Sequence, residues 1–229
     1  MAINHDHKAV IVAGGSGLVG SELVKQLLDS PSIEHVYALV RKPMVFQSHK
    51  LECLVTPDLL IHTWDEDKVA PTLGFICLGT TLKQAGSKSG LEKVDYELVC
   101  QVAQEMKVLG VKKIAVVSSL GASIRSFSHY LRCKGKMEQA IRQVGFEHIT
   151  FVRPGPLVGL RDTPRRGEII TNGLLKVLRP LLIGRLKNFI PIRASRVAQA
   201  MIYSLFQSTD KKVEIYHSAE IKQWLKQYK

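Results

Sequence analysis

The chain has 229 residues, 45% of them apolar and 23% charged, with a formal net charge of +12 and an isoelectric point near 9.6. That length and apolar content bury a sizeable core and exclude a disordered, collagen-like or disulfide-stapled chain. No apolar run approaches the roughly 18 residues of a membrane span, and no internal repeat, low-complexity tract or Gly/Ser linker breaks the sequence, so one domain over residues 1–229 is expected.

The first element is the run Val10-Ile11-Val12-Ala13, followed by Gly14-Gly15-Ser16-Gly17-Leu18-Val19-Gly20 and then the periodic apolar positions Leu23, Val24, Leu27 and Leu28. This reads as strand, tight turn and helix. Glycines let a backbone turn sharply and let a diphosphate approach without meeting a Cβ. The helix N-terminus then offers free N–H groups and the positive end of its dipole. In that strand–turn–helix context the glycine spacing points to a dinucleotide, held along Gly14, Ser16, Gly17, Leu18, Val19 and Gly20.

The second strand, His35 to Val40, ends in Arg41-Lys42. A site for NAD usually carries Asp or Glu about 20 residues after the glycine turn, on the ribose 2′-hydroxyl. Arg41 falls at that distance, and a guanidinium holds a 2′-phosphate where a carboxylate would repel it. Arg41 and Lys42 therefore predict NADP(H) over NAD(H). Two stretches compete for the third strand, Leu51 to Thr56 and Leu59 to Thr63, with Pro57 between them.

Phe75 to Leu78 reads as the fourth strand, ending in Gly79-Thr80-Thr81, with a Lys-, Ser- and Gly-rich loop over 83–90 after it. A helix is predicted over Glu92–Leu109, stopped by Gly110. Lys113 to Val117 is a fifth strand with Ser118-Ser119 at its end; a helix over Tyr130–Val144 and a strand over His148–Val152 follow, the latter ending in Arg153-Pro154-Gly155. Alternation of this kind predicts an α/β fold, a doubly wound parallel sheet of Rossmann type, with ligands beyond the carboxyl ends of the strands. The residues after Gly155, roughly 156–229, are left to form a small substrate-pocket region.

Tyr130 and Lys134 make a Y-x-x-x-K pair. On a helix the two share a face. A neighbouring ammonium favours the phenolate and lowers the tyrosine pKa, which suits the phenol to proton transfer near neutrality. Ser119, or Ser118 beside it, closes the preceding strand and offers a hydroxyl to the same pocket. Base, orienting partner and pocket in this chain order predict a catalytic set of Ser119, Tyr130 and Lys134, with no metal.

With these residues in place the sequence resembles the short-chain dehydrogenase/reductase superfamily, of the extended or atypical kind, over nearly its whole length. Cys77-Leu78-Gly79-Thr80-Thr81, Val94-Asp95-Tyr96, Ser118-Ser119, Tyr130-Leu131-Arg132-Cys133-Lys134-Gly135 and Arg153-Pro154-Gly155 look like the Tat-interacting-protein-type oxidoreductases and their bacterial relatives. The resemblance implies that Tyr130 donates or accepts the proton, that Ser119 positions a carbonyl and that Lys134 holds the nicotinamide ribose. It also implies that Leu78, Gly79 and Thr80 flank ribose and nicotinamide, and that Pro154 to Leu157 wall the nicotinamide. The family's acidic residue near the adenine is left open between Asp58 and Asp65. Pro191 to Met201 looks like the pocket-closing helix of extended members. The region after Gly155 is too short for the full sugar-nucleotide domain of a typical extended epimerase.

The remaining features are less specific. Cys53, Cys77, Cys100 and Cys133 show neither C-x-x-C spacing nor a zinc pattern, and Cys77 and Cys100, in apolar runs, are expected to be buried thiols. With a polar, signal-free start at Met1 to Lys8, this predicts a cytoplasmic protein. The basic charge is densest from Arg161 to Arg193 and carries no helix-turn-helix or RNA-binding signature, so it reads as a solvated face and not a nucleic-acid surface. The apolar cluster Leu174, Leu175, Val177, Leu178, Leu181, Leu182 and Ile183 reads as core or pocket lid, with a dimer or membrane-surface patch as the alternative. The expected partner is a small molecule, and the expected state a monomer or homodimer. Two classes of function follow: an NADP(H)-dependent reductase or dehydrogenase acting on a small carbonyl or alcohol, or a non-catalytic NADPH sensor.

Overall fold

The computed structural model describes residues 9–159 and 184–227. Strand β1 (Ala9–Ala13) leads through the glycine turn into α1 (Leu18–Leu28) and β2 (His35–Val40). β3 is Leu51–Val55, the first of the two competing stretches. Pro57 ends it, and Leu59 takes a positive φ of 62° in the turn that follows. β4 (Leu73–Ile76) precedes two short helices, α2 (Leu82–Ala85) and α3 (Lys88–Glu92). A π-helical turn, Lys93–Leu98, joins α3 to α4 (Val99–Val108). Thus the helix predicted from Glu92 starts four residues earlier and carries a wide turn at its centre. β5 (Lys113–Val117), α5 (His129–Gln143) and β6 (His148–Arg153) follow as predicted, within a residue.

Beyond them the described chain forms β7 (Leu157–Val158), β8 (Ile192–Arg193), α6 (Ala194–Phe206), β9 (Val213–His217) and α7 (Ser218–Trp224). Seven strands run in the order β3-β2-β1-β4-β5-β6-β9, each pair parallel, and β7 pairs with β8 apart from them. This is the doubly wound Rossmann arrangement. The order reverses between β1 and β4, and a crevice opens there beyond their carboxyl ends.

Strand periodicity builds both core layers. Val10 and Val12 of β1 face α1 and α6, packing with Val19, Leu23, Leu27, Val197 and Met201. Ala9, Ile11 and Ala13 face the other way, onto Val99, Val102, Met106, Met137 and Ile141 of α4 and α5.

The helix expected to close the pocket follows directly on β8, which pairs with β7 at Leu157, and then runs along the sheet face. α6 buries the stripe Ala194, Val197, Ala198 and Met201, and lies along α1, where the Gln26 side chain donates to the Ser195 carbonyl at 3.0 Å. Its apolar spacing serves the sheet face, because that face must be covered. The cluster Leu174 to Ile183 and the basic residues Arg161, Arg165, Arg166, Lys176 and Arg179 lie outside the described residues.

Candidate functional site

The glycine turn sits at the reversal of strand order. Gly14 has φ +82°, and a Cβ there would stand 2.9 Å from the Cys77 carbonyl carbon, so the loops after β1 and β4 meet at this point. A Cβ on Gly20 would be driven into the Gly14 carbonyl, so only glycine lets α1 approach the turn. The Gly17 amide donates to Gly14 O at 3.0 Å, and Gly17 caps the 11-residue α1 with no side-chain hydrogen bond. The first amides of α1 therefore face the crevice without a side-chain cap, beside exposed Ser16. A diphosphate fits that cradle on geometry and on the sign of the helix dipole.

Arg41 and Lys42 leave β2 exposed, next to this turn; two residues on, the Met44 sulfur would stand 3.0 Å from a Cβ on Gly15. Leu78, Gly79 and Thr80 extend from β4, with Leu78 buried and Gly79 exposed. Of the two acidic candidates, Asp58 accepts from the Leu60 amide at 3.2 Å and lies 2.8 Å from His62, while Asp65 accepts from the Asp67 amide at 3.1 Å. Both serve turns on the β3 side of the sheet.

α5 carries the chemistry on one line: Tyr130, Lys134 and Glu138 at successive i+4 steps. Ser128 caps the helix by accepting from the Leu131 amide at 3.5 Å. The loop before it folds tightly, with Leu120 N on Pro154 O at 3.0 Å and Ser123 N on Leu131 O at 3.1 Å. A Cβ on Gly135 would enter the Ser123 backbone, so glycine lets this loop cross α5. That packing accommodates the short interval between Ser119 and Tyr130.

The two serines are not equivalent. Ser118 is buried and donates to Glu138 Oε1 at 2.5 Å. Arg153 grips the same carboxylate at two points, Nε to Oε1 at 2.8 Å and Nη2 to Oε2 at 2.6 Å. Ser119 is half-buried, and its hydroxyl reaches Leu120 O only at 3.5 Å. The Ser118 hydroxyl is thus engaged in the α5–β6 network, while that of Ser119 keeps the freedom to meet a ligand. Glu138 went unread in the sequence, although continuing the Tyr130–Lys134 line by one more turn finds it.

Lys134 is 2% exposed and turned inward. Its ammonium lies 2.9 Å from Asp95 Oδ1, and 3.5 and 3.4 Å from the carbonyls of Leu78 and Val117, at the ends of β4 and β5. Burial works against its charge, yet the carboxylates of Asp95 and Glu138 and the Tyr130 oxygen outweigh this and hold its pKa above the usual lysine value. Half-buried Tyr130 stands one turn earlier. Pro154 is buried at the end of β6, and half-buried Leu157 opens β7. The structure therefore brings Gly14–Gly20, Leu78–Thr80, Ser119, Tyr130, Lys134 and Pro154 to one edge of the sheet.

Cys133 is buried; Cys77 and Cys100 keep some residue surface, but burial desolvates their thiols as expected, and all four thiols are free. Cys133 also has a histidine companion that its sequence spacing hid: Sγ is 3.5 Å from His129 Nε2, which lies 3.9 Å from Glu92 Oε2. Lys136, 2.8 Å from Glu92, already compensates that carboxylate. Arg132 adds positive charge near the same carboxylate. The group ties α3 to α5.

A family model described as HIM1 matches residues 70–183. The protein FMP52, mitochondrial, of Eremothecium gossypii is 31% identical over 221 residues, covering 95% of this chain and 97% of that protein. The chain belongs to the FMP52 family. The Saccharomyces cerevisiae FMP52 is 32% identical over 160 residues, 68% of each chain. These relatives are fungal proteins, where the sequence resemblance pointed to bacterial ones. Their names also overturn the cytoplasmic expectation: the curated FMP52 proteins are mitochondrial. Free thiols and a polar start are compatible with several reducing compartments and do not single out the cytoplasm.

Among solved structures, the Bordetella bronchiseptica enzyme WbmG in complex with NAD matches with a TM-score of 0.66 at 14% identity, over 97% of this chain and 77% of that one. MoeE5 in complex with UDP-glucuronic acid and NAD matches at 0.63 and 16% identity, over 90% and 75%. A UDP-glucose 4-epimerase from Thermotoga maritima matches at 0.61 and 17%, over 95% and 80%. At these identities the likeness is one of fold.

Proposed function

We propose that this FMP52-family protein is a nicotinamide-dinucleotide-dependent oxidoreductase that favours NADP(H) and acts on a small carbonyl or alcohol. The observation that carries the reading is the convergence of the uncapped glycine turn at the strand-order reversal with Ser119, Tyr130 and Lys134 on the same edge of the sheet. The cofactor, when bound, supplies or accepts the hydride. Gly14 to Gly20 hold its diphosphate, Arg41 and Lys42 attract a 2′-phosphate, and Leu78 to Thr80 with Pro154 and Leu157 border the nicotinamide end. In the reducing direction the Tyr130 phenol gives its proton to the carbonyl oxygen, and the Ser119 hydroxyl hydrogen-bonds that oxygen and orients it. The positive charge of Lys134 stabilises the phenolate left behind and holds the ribose. The mitochondrial names of the relatives lead us to assign this protein to the same compartment.

A second reading, a cofactor-bound sensor, draws on the inward turn of Lys134, whose ammonium is engaged by Asp95 and two carbonyls. Purified protein separates the two. NADPH binding by calorimetry with turnover on a panel of carbonyl compounds, lost in Tyr130→Phe, supports the enzyme. Binding with no turnover on any compound supports the sensor, and no binding of either nicotinamide dinucleotide refutes both.

A further inference from the structure

Among the described residues, Glu92, His129 and Cys133 bring a carboxylate oxygen, an imidazole nitrogen and a thiol sulfur within 4.8 Å of one another. Glu92 ends α3, while His129 and Cys133 share a face of α5 at i and i+4. His129 Nε2 is the hub. It lies 3.5 Å from Cys133 Sγ, 3.9 Å from Glu92 Oε2 and 3.1 Å from the Lys88 carbonyl oxygen. This nitrogen either donates one proton to one of these groups or accepts one from the thiol, and neither state satisfies all three contacts. A cation shared by the donor atoms answers that shortage of protons. Cys133 is 1% exposed, whereas the side chains of His129 and Glu92 are 24% and 27% exposed, so the sulfur forms the floor of the group and the other two its rim.

The spacing suits a zinc-like ion. Zn–S bonds of about 2.3 Å and Zn–N bonds of about 2.0–2.1 Å, at a tetrahedral angle, put sulfur and nitrogen about 3.5 Å apart. That is the separation of Cys133 and His129. The part-exposed Glu92 side chain has to draw in by roughly 0.5–1 Å, a small torsional adjustment. Lys136 holds Glu92 Oε1 at 2.8 Å and leaves Oε2 toward the histidine, as supporting groups orient a ligating carboxylate. Lys136 and Arg132 oppose a cation here, but a thiolate and a carboxylate bring two negative charges against its two positive ones. We propose that Glu92, His129 and Cys133 form a binding site for a zinc-like divalent ion that staples the first turn of α5 to α3. Water or the Lys88 carbonyl takes the fourth position. Sulfur and imidazole donors select such an ion over Mg²⁺ or Ca²⁺. Binding displaces the Cys133 thiol proton to solvent, with no change of oxidation state. His129 precedes Tyr130 and Cys133 precedes Lys134, so the ion sits about 100° round the helix from that pair and does not depend on its chemistry.

The test uses the full chain, stripped of metal by a chelator and titrated with Co²⁺, whose near-ultraviolet thiolate charge-transfer band reports sulfur ligation. Wild type is expected to bind one Co²⁺ per chain with that band, and Zn²⁺, which such sites hold more tightly, to bleach it by displacement. Cys133→Ser should lose the band, and Cys53→Ser should keep it. His129→Ala and Glu92→Gln should each weaken Zn²⁺ binding by at least about tenfold. His5 and His7 are a second imidazole pair in the sequence, but an ion bound there gives no thiolate band. No band in wild type, or a band that survives Cys133→Ser, overturns the proposal. Zn²⁺ should also raise the wild-type melting temperature where Mg²⁺ at the same concentration does not, and His129→Ala should lose most of that rise. An equal rise with Mg²⁺, or an undiminished rise in His129→Ala, counts equally against it. If Cys133→Ser does not fold, Glu92→Gln, altered at the rim, decides: weakened Co²⁺ binding supports the site, and unchanged affinity sinks it.

Discussion

At the scale of single residues, three side chains separate the proposed chemistry from a coincidence of spacing. Removing the Tyr130 hydroxyl while keeping its ring should reduce turnover by about 10² to 10⁴, the usual worth of a positioned proton donor, and spare NADPH affinity. Retention of activity within about tenfold would remove Tyr130 from the mechanism. Arg41 is exposed at the end of β2. Arg41→Ala should cost about ten- to a hundredfold in NADPH affinity and little in NADH affinity, the worth of one charge-assisted contact; equal losses by calorimetry would dissociate Arg41 from the 2′-phosphate. Lys134 is a different case once Asp95 is seen beside it. Lys134→Met strands a buried carboxylate, and about 3–5 kcal/mol of stability should go with it. Denaturant unfolding measures this directly. A change below about 1 kcal/mol would mean that the pair is solvated in solution.

At the scale of elements, close backbone approaches hold the site together. Gly20 lets α1 meet the glycine turn, and Gly135 lets the loop bearing Ser119 cross α5. Gly135→Ala pushes a methyl group into the Ser123 backbone, so it should destabilise by about 1–3 kcal/mol through overpacking. It should also displace Ser119 and lower turnover while leaving the diphosphate turn intact. Normal stability and activity in this variant would show that the loop crosses elsewhere. Most elements were legible because their periodicity is strong: β1, β2, β5 and β6 are continuous apolar runs, and α1 and α5 have glycine or serine starts. The π turn was not legible. Nothing in Lys93–Leu98 distinguishes it from ordinary helix, and the wide turn is seen only where Asp95 meets Thr80 and Lys134.

For the molecule as a whole, pH dependence follows from groups held uncharged or paired inside. Burial pushes the Cys77 thiol up to about 12 and the Cys100 thiol up to about 11, from 9.0. Both folded values lie above the unfolded ones. Their contribution is fully present below pH 9.0, and it is lost as the pH rises toward about 11 to 12, where the unfolded chain has already released the protons. Lys134, also raised, acts in the same alkaline direction. Unfolding free energy should therefore fall steadily above pH 9, and a Cys77→Ala/Cys100→Ala variant should show a shallower fall. Parallel curves for the variant and wild type would show that the two thiols titrate normally.

The doubly wound fold, the glycine turn and the Tyr130–Lys134 line were all readable from the sequence, because each is a local pattern. Strand runs, a glycine spacing and an i+4 pair are written within a few residues of one another. Which stretch formed β3 was undecided locally and was settled by pairing with β2. Three further matters depend on groups far apart in the chain. Ser118 meets Glu138 across 20 residues and Asp95 meets Lys134 across a helix and a strand, while α6 packs its apolar stripe on the sheet face beside α1. A buried charge takes its partner from whatever the fold brings near, and an apolar stripe takes whichever face remains uncovered. Sequence spacing carries neither piece of information, and the tertiary structure supplies both.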